Sequence, residues 1–286
     1  MALFRLDDPG DLVEPILVAA FDGWVDAGQA ATTAADFLAS GGSTIGTFDA
    51  DVLYDYRSRR PTLDIVDGRP KALSWPEMAL RRARVNGRDV MVLGGHEPDF
   101  RWRELSNAVV AMARALGVTA WIGLGAIPAA VPHTRAVTIL GTESRPGLLR
   151  GRIRPGPDGL LRVPAAALSV MDVAVAEAGI PTVGYFAQVP HYISGVYPAA
   201  AVALLAAVAE HVGGPIEAPN LDDDAAALRE RLDAATSADD TTRTYVAQLE
   251  SMADESRLPA GDDLISDIER FLRDRGAGGT GGPGRS

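Results

Sequence analysis

Short apolar runs alternate with longer amphipathic stretches from the start of the chain to about Pro219. Ile16–Phe21, Asp89–Leu93, Thr119–Leu124, Ala136–Leu140 and Thr182–Phe186 are such runs, the first four followed directly by Asp or Gly and the last running on to Pro190 and His191. Continuous apolar runs without alternation predict strands buried on both faces. Ser43–Phe48, Thr62–Val66 and Arg81–Val85 carry weaker strand patterns. Between them lie helical periods. Leu105, Val109, Met112 and Leu116 form one stripe, and Leu168, Met171, Val175 and Ala178 a second. Gly117 and Gly179 follow these stripes, where a helix ends on a residue tolerant of positive φ. Pro198–Val212 is apolar nearly all round, which predicts an interior helix. Strands alternating with helices predict an α/β body of three layers around a largely parallel sheet.

Gly213-Gly214-Pro215 interrupts this pattern, and a helical extension is predicted from residue 220 to 275. Its stripes are Ala225, Leu228, Leu232 and Ala235, then Tyr245, Leu249 and Met252, then Ile265, Ile268 and Leu272. Each is narrow and flanked by charge, as in helices that pack against a body or one another. From Gly276 to Ser286 the chain is Gly-rich without an apolar anchor, and disorder is expected. The division is thus a body (1–219), an acidic helical extension (220–275) and a tail (276–286).

Composition narrows the function classes. The chain has 286 residues and a net charge of −11, most of it in the extension, which disfavours a general nucleic-acid binder because phosphate neutralisation needs a cationic face. It contains no cysteine, which removes disulfides, thiol nucleophiles and zinc–thiolate or iron–sulfur sites. Met1–Gly10 carries Asp7 and Asp8 and no apolar signal core, and Tyr197–Ala209 is too short for a membrane span. A cytoplasmic protein without membrane contact is the expectation.

Common catalytic signatures are missing. Lys71, the single lysine, lies outside any glycine loop, so there is no Walker-type phosphate loop. Gly123-Leu124-Gly125 runs into Ala126, Ile127 and Pro128 instead of completing a dinucleotide fingerprint. No Gly-x-Ser-x-Gly elbow or His-Glu-x-x-His helix occurs.

What remains is a set of polar loops after the predicted strands: Asp22 to Gly28, Gly94 to Trp102, Pro132 to Arg135, Gly141 to Ser144, and Val189 to Gly195. Loops after parallel strands share one rim of the sheet, where such folds place ligands. His96, His133 and His191, with Asp22, Asp26, Glu97 and Glu143, are expected to converge there. His96, Glu97, His133 and His191 are the candidates for acid–base work. Asp22, Asp26 and Gly28 with Arg101 or Arg135 are candidates for holding a ligand or anion. No pair has tight metal-ligand spacing, and neither metal nor cofactor is expected. The competing reading is that these residues terminate strands and cap helices. Trp24, Trp75, Trp102 and Trp121 are read as packing residues.

The order and spacing of Asp22-Gly23-Trp24-x-Asp26-Ala27-Gly28, Gly94 to Trp102, Pro132-His133-Thr134-Arg135 and Pro190-His191-Tyr192 resemble the family of proteasome assembly chaperone two, in its actinobacterial branch. The resemblance covers about residues 10–215, and the acidic extension is similar to the one found in that branch. It implies a phosphorylase/hydrolase-like α/β body, oligomeric assembly and, as in eukaryotic and archaeal relatives, contact with proteasome α subunits. Family members can dock through a C-terminal hydrophobic–Tyr–any-residue motif. This chain ends Gly284-Arg285-Ser286 with no tyrosine among its last residues, so docking through that motif is not expected and a surface-mediated contact is the alternative.

The resulting expectation is a non-enzymatic homo-oligomer, with a trimer among the forms considered. Leu228, Leu232, Tyr245 and Leu249 are its candidate interaction residues. The alternative is a nucleosidase- or phosphorylase-type enzyme using the rim.

Overall fold

Residues 3–153, 155–156 and 159–257 are described in the computed structural model of the chain. The strands are β1 (Phe4–Leu6), β2 (Ile16–Asp22), β3 (Ser43–Phe48), β4 (Thr62–Val66), β5 (Arg69–Ser74), β6 (Met78–Val85), β7 (Arg88–His96), β8 (Ala120–Ala129), β9 (Ile139–Glu143) and β10 (Thr182–Pro190). The helices are α1 (Ala30–Ala39), α2 (Ala50–Leu53), α3 (Trp102–Ala115), α4 (Ala167–Glu177), α5 (Pro198–Val212), α6 (Pro219–Ala238) and α7 (Asp240–Arg257).

Eight strands form one sheet in the order β1-β3-β6-β7-β2-β8-β10-β9. Its centre, β7-β2-β8-β10, is parallel. The flanks are antiparallel, with β6, β3 and β1 on one side and β9 on the other. The three-layer α/β body expected from the sequence is therefore present, with its parallel pairing concentrated at the centre of a mixed sheet.

The apolar runs become the central strands because both of their faces are covered. In β2, Ile16, Val18 and Ala20 point into one core while Leu17, Ala19 and Phe21 point into the other. The first core is closed by α1 and α5 through Ala31, Ala35, Leu204 and Val208, and the second by α3 and α4 through Leu105, Met112, Leu168 and Met171. The pleat alternates side chains between faces, so a strand apolar at every position serves two cores at once. Gly117 and Gly179 take φ values of 63° and 87° just past α3 and α4, as their positions predict.

The described residues form two compact units, divided between Ala235 and Thr236. The sequence boundary near Pro219 coincides with the start of α6, and the first unit continues along that helix. Leu221 and Leu228 of α6 pack against the core covered by α1 and α5. In the second unit Leu249 is buried and Tyr245 is partly exposed. The Ile265, Ile268 and Leu272 stripe and the 276–286 tail lie outside the described residues. Among the described residues, no helix is long and apolar enough to cross a membrane.

Candidate functional site

The four parallel strands end together at Asp22, His96, Ala129 and Pro190, and the loops that follow carry the expected rim residues. They form separate groups.

The first group surrounds the end of β2. Asp22 accepts two bonds from Arg59 Nη1, at 2.9 Å on each carboxylate oxygen, and one from the backbone N–H of Glu97 at 3.1 Å. His96 Nε2 lies 3.8 Å from the same carboxylate, and Tyr54 donates its hydroxyl to the His96 carbonyl at 2.8 Å. Glu97 reaches in two directions, accepting from Trp24 N–H at 3.3 Å and from Ala167 N–H, at the start of α4, at 2.8 Å. Gly23 makes this approach possible: its φ is +140°, and a Cβ there would stand 2.4 Å from Glu97 Oε2. A carboxylate at the N-terminus of α4 satisfies an orphan N–H and complements the helix dipole.

Asp26 and Gly28 belong to the loop leading into α1. Asp26 is buried and accepts from Ala31 N–H at 2.8 Å, Thr32 N–H at 3.2 Å and the Thr32 hydroxyl at 2.5 Å. Burial pushes its carboxyl above the ordinary value, against the pull of these bonds. Gly28 has φ +63°, accepts from Tyr197 N–H at 2.8 Å, and leaves no room for a Cβ, which would fall 2.8 Å from Tyr197 Cβ. Both residues start helices and join them.

The third group lies beyond β8 and β10. His133 is buried, with Nδ1 2.7 Å from Tyr192 Oη and Nε2 3.2 Å from Asp233 Oδ1 of α6. Hydrogen-bond accounting has the Tyr192 hydroxyl donating to Nδ1 and Nε2–H donating to Asp233. Arg229 completes the array, bonding both Asp233 oxygens at 3.0 and 2.9 Å and the His133 carbonyl at 2.9 Å. His191 donates from Nδ1 to the Ala129 carbonyl at 3.1 Å. Arg135 is half-buried on the His133 loop, while Arg101 pairs with Glu104 on the first turn of α3.

This array fastens α6 to the sheet. His133→Ala leaves the Tyr192 hydroxyl and the Asp233 carboxylate without the imidazole, a loss of about 1–3 kcal/mol. The expected result is a lower melting temperature together with faster hydrogen exchange at α6 amides than at those of α3.

One rim expectation is corrected. Glu143 does not join the others, because β9 is antiparallel to β10 and its Glu143 end pairs with Val183, near the start of β10. It accepts from the backbone N–H groups of Leu149 at 3.0 Å and Leu148 at 2.7 Å, which hold its carboxyl below the usual range. Recesses of about 790 and 620 Å³ likewise open at that opposite end, beside the starts of β7 and β8. Among the described residues no group of three or more metal-ligating side chains could hold an ion.

Of the interaction candidates, Leu228 and Leu249 are already packed or buried, Leu232 is half-buried, and Tyr245 is the most exposed. The sequence reading missed Arg59, Tyr54, Arg229 and Asp233. The i,i+4 spacing of Arg229 and Asp233 was the one local signal among them.

The comparisons with known proteins agree with this architecture. The PAC2 family model matches residues 20–236. A solved protein of unknown function from Corynebacterium glutamicum is 30% identical, with a TM-score of 0.82 over 89% of this chain and 97% of that one. A proteasome-assembly chaperone homologue from Mycobacterium tuberculosis is 33% identical, with a TM-score of 0.74 over 81% of this chain and 99% of its own. A PAC2 family protein from Streptomyces avermitilis is 34% identical, with a TM-score of 0.71 over the same shares, 81% and 99%. Among curated proteins there is no match. With its family match running from residue 20 to 236, over most of the chain, the chain belongs to the PAC2 family.

Proposed function

We propose that the chain is a non-enzymatic, homo-oligomeric interaction protein with a chaperone-like role in proteasome assembly, acting in the cytoplasm through contact with proteasome α subunits. The observation that carries this reading is the β4–β5 hairpin. Every residue of both strands is exposed, and the pair forms its own two-stranded sheet, separate from the main one. Leu63 lies directly opposite Leu73, so the two share a face, and Ile65, Val66 and Trp75 are exposed as well. Trp75 meets Tyr56 edge-on at 4.8 Å at the root of the arm. An isolated two-stranded ribbon is marginal in water, and a cluster of exposed apolar side chains on one marks a surface that gains by being covered.

The rim groups support the same reading. His96 bonds at Glu77 beside Asp22, whereas His133 and His191 both meet Tyr192, so the three histidines are divided between two groups, and a nucleoside-cleaving site needs them around one open volume. The family relative from M. tuberculosis is described as a proteasome-assembly chaperone homologue.

Light scattering on the full chain, alone and mixed with proteasome α subunits, tests the proposal. The parent is expected to form a homo-oligomer and a discrete mixed complex. Leu63→Asp with Ile65→Asp, on an arm outside the core, is expected to leave folding intact and abolish at least one of the two assemblies. A parent that is monomeric and ignores α subunits, or a variant that assembles like the parent, overturns it.

A further inference from the structure

We propose that the recess at the starting ends of β8 and β10 is a binding site for a small oxyanion, a carboxylate or phosphate carried on an apolar body, held by Arg145 and Arg150. This site lies at the end of the sheet opposite the rim and is independent of the hairpin arm.

The recess encloses about 620 Å³, within the usual range of small-ligand sites, and Ile16, Ala120 and Val183 contribute an apolar floor. Its mouth carries Arg88, Arg145 and Arg150. Arg88 is committed: it bonds the Glu14 carbonyl at 2.8 Å, the Glu14 carboxylate at 3.1 Å and the His211 carbonyl at 2.5 Å. Arg145 and Arg150 are exposed on the segment after β9, and neither forms an ion pair with a described residue. Glu210, the other acid of the lining, stands against Gly151 and likewise pairs with no described residue. Two guanidinium groups at one mouth match the forked geometry that recognises carboxylate and phosphate.

The wall behind the arginines reports the same positive field. The His211 imidazole is half-buried beside fully buried Tyr185, whose Oη lies 2.7 Å from His211 Nε2 and accepts weakly from Arg150 N–H at 3.4 Å. Burial, then the charges of Arg150 and Arg88, push the imidazole down to about 4. It is therefore neutral at physiological pH, and the hydroxyl of Tyr185 donates to Nε2. The charged groups facing this pair are Arg88 from β7, Arg150 from the segment after β9, Glu210 from α5 and Glu143 from β9. An anion seated between Arg145 and Arg150 offsets the positive charge acting on the ring, so His211 senses occupancy.

The experiment follows the His211 ring resonances of the full chain by NMR. The protein has four histidines, and His211→Asn identifies the signal. Inorganic phosphate, phenyl phosphate and benzoate are titrated at constant ionic strength maintained with chloride. The expected result is a saturable shift with at least one of the three, a His211 pKa raised by the bound anion, and a dissociation constant at least tenfold weaker in Arg145→Ala/Arg150→Ala. Both arginines are exposed, so this variant retains the fold. Saturation by phosphates alone identifies a phosphate head, and saturation by benzoate alone identifies a carboxylate. A shift that never saturates, that chloride reproduces, or that the double variant retains at parental affinity overturns the proposal.

Discussion

Asp89→Ala is expected to destabilise the α/β body by about 3–5 kcal/mol at pH 7, the cost of leaving one member of a buried ion pair without its partner. Asp89 is fully buried at the start of β7. Its Oδ1 accepts from Arg82 Nε at 2.8 Å and its Oδ2 from Val13 N–H at 2.7 Å. Arg82 also bonds the carbonyls of Pro9 and Asp11, so a single carboxylate–guanidinium pair ties the segment before β2 to β6 and β7. Burial raises the Asp89 carboxyl, but the bonds from Arg82 and Val13 outweigh it and the net shift is downward. A depressed carboxyl contributes stability that is present above the unfolded value, about 3.9, and is lost as pH falls through the lower folded value. Urea denaturation of parent and variant at pH 7 and again near pH 3 checks this. A difference below 1 kcal/mol at pH 7, or one that widens on acidification, refutes it.

The opposite sign is expected at Asp172. Its carboxylate, on α4, accepts from Trp121 Nε1 at 2.5 Å, and burial raises it to about 7 although the indole bond pulls it down. The folded state then holds a proton that the unfolded state has released between about pH 4 and pH 7. Stability contributed by the protonated form is present at low pH and lost as pH rises through that window. Asp172→Asn keeps an acceptor for the indole and removes the ionisation. It should match the parent at pH 5 and exceed it at pH 8 by about 1–3 kcal/mol, after allowance for partial solvent access to the side chain. A parent with flat stability from pH 5 to 8, or a variant weaker than the parent at pH 8, sinks this assignment.

The strands that serve two cores were readable from sequence because burial on both faces writes an uninterrupted apolar run. β2, β7, β8 and β10 were found this way, and β3 and α5 were placed with the bounds seen in the structure. β5 was not found: Arg69, Pro70 and Lys71 carry no burial pattern because the whole hairpin stands in solvent. The Asp67-Gly68 turn, with φ values of 50° and 72°, was the available signal, since two-residue turns of this kind join hairpin strands. Strand direction was the other hidden quantity. An apolar run reads the same whether it pairs parallel or antiparallel, so Glu143 was assigned to the wrong end of the sheet. Four of the five loops read as rim loops follow the parallel strands, while Gly141–Glu143 falls within β9, and the partners of the rim residues were not legible. Arg59 reaches Asp22 from a loop 37 positions away, and Asp233 reaches His133 across 100 positions, distances over which local pattern carries no information.

The central place of β2 has a consequence for how the protein is made. This strand is synthesised before both of its neighbours, since β7 and β8 begin about 70 and 100 residues later. Until both are synthesised, a segment buried at six consecutive positions in the finished molecule has both edges open. Pairings so distant in sequence close slowly, and an unpaired apolar strand is prone to aggregate. Shielding of β2 until β8 is available to close its second edge is expected to lower that risk.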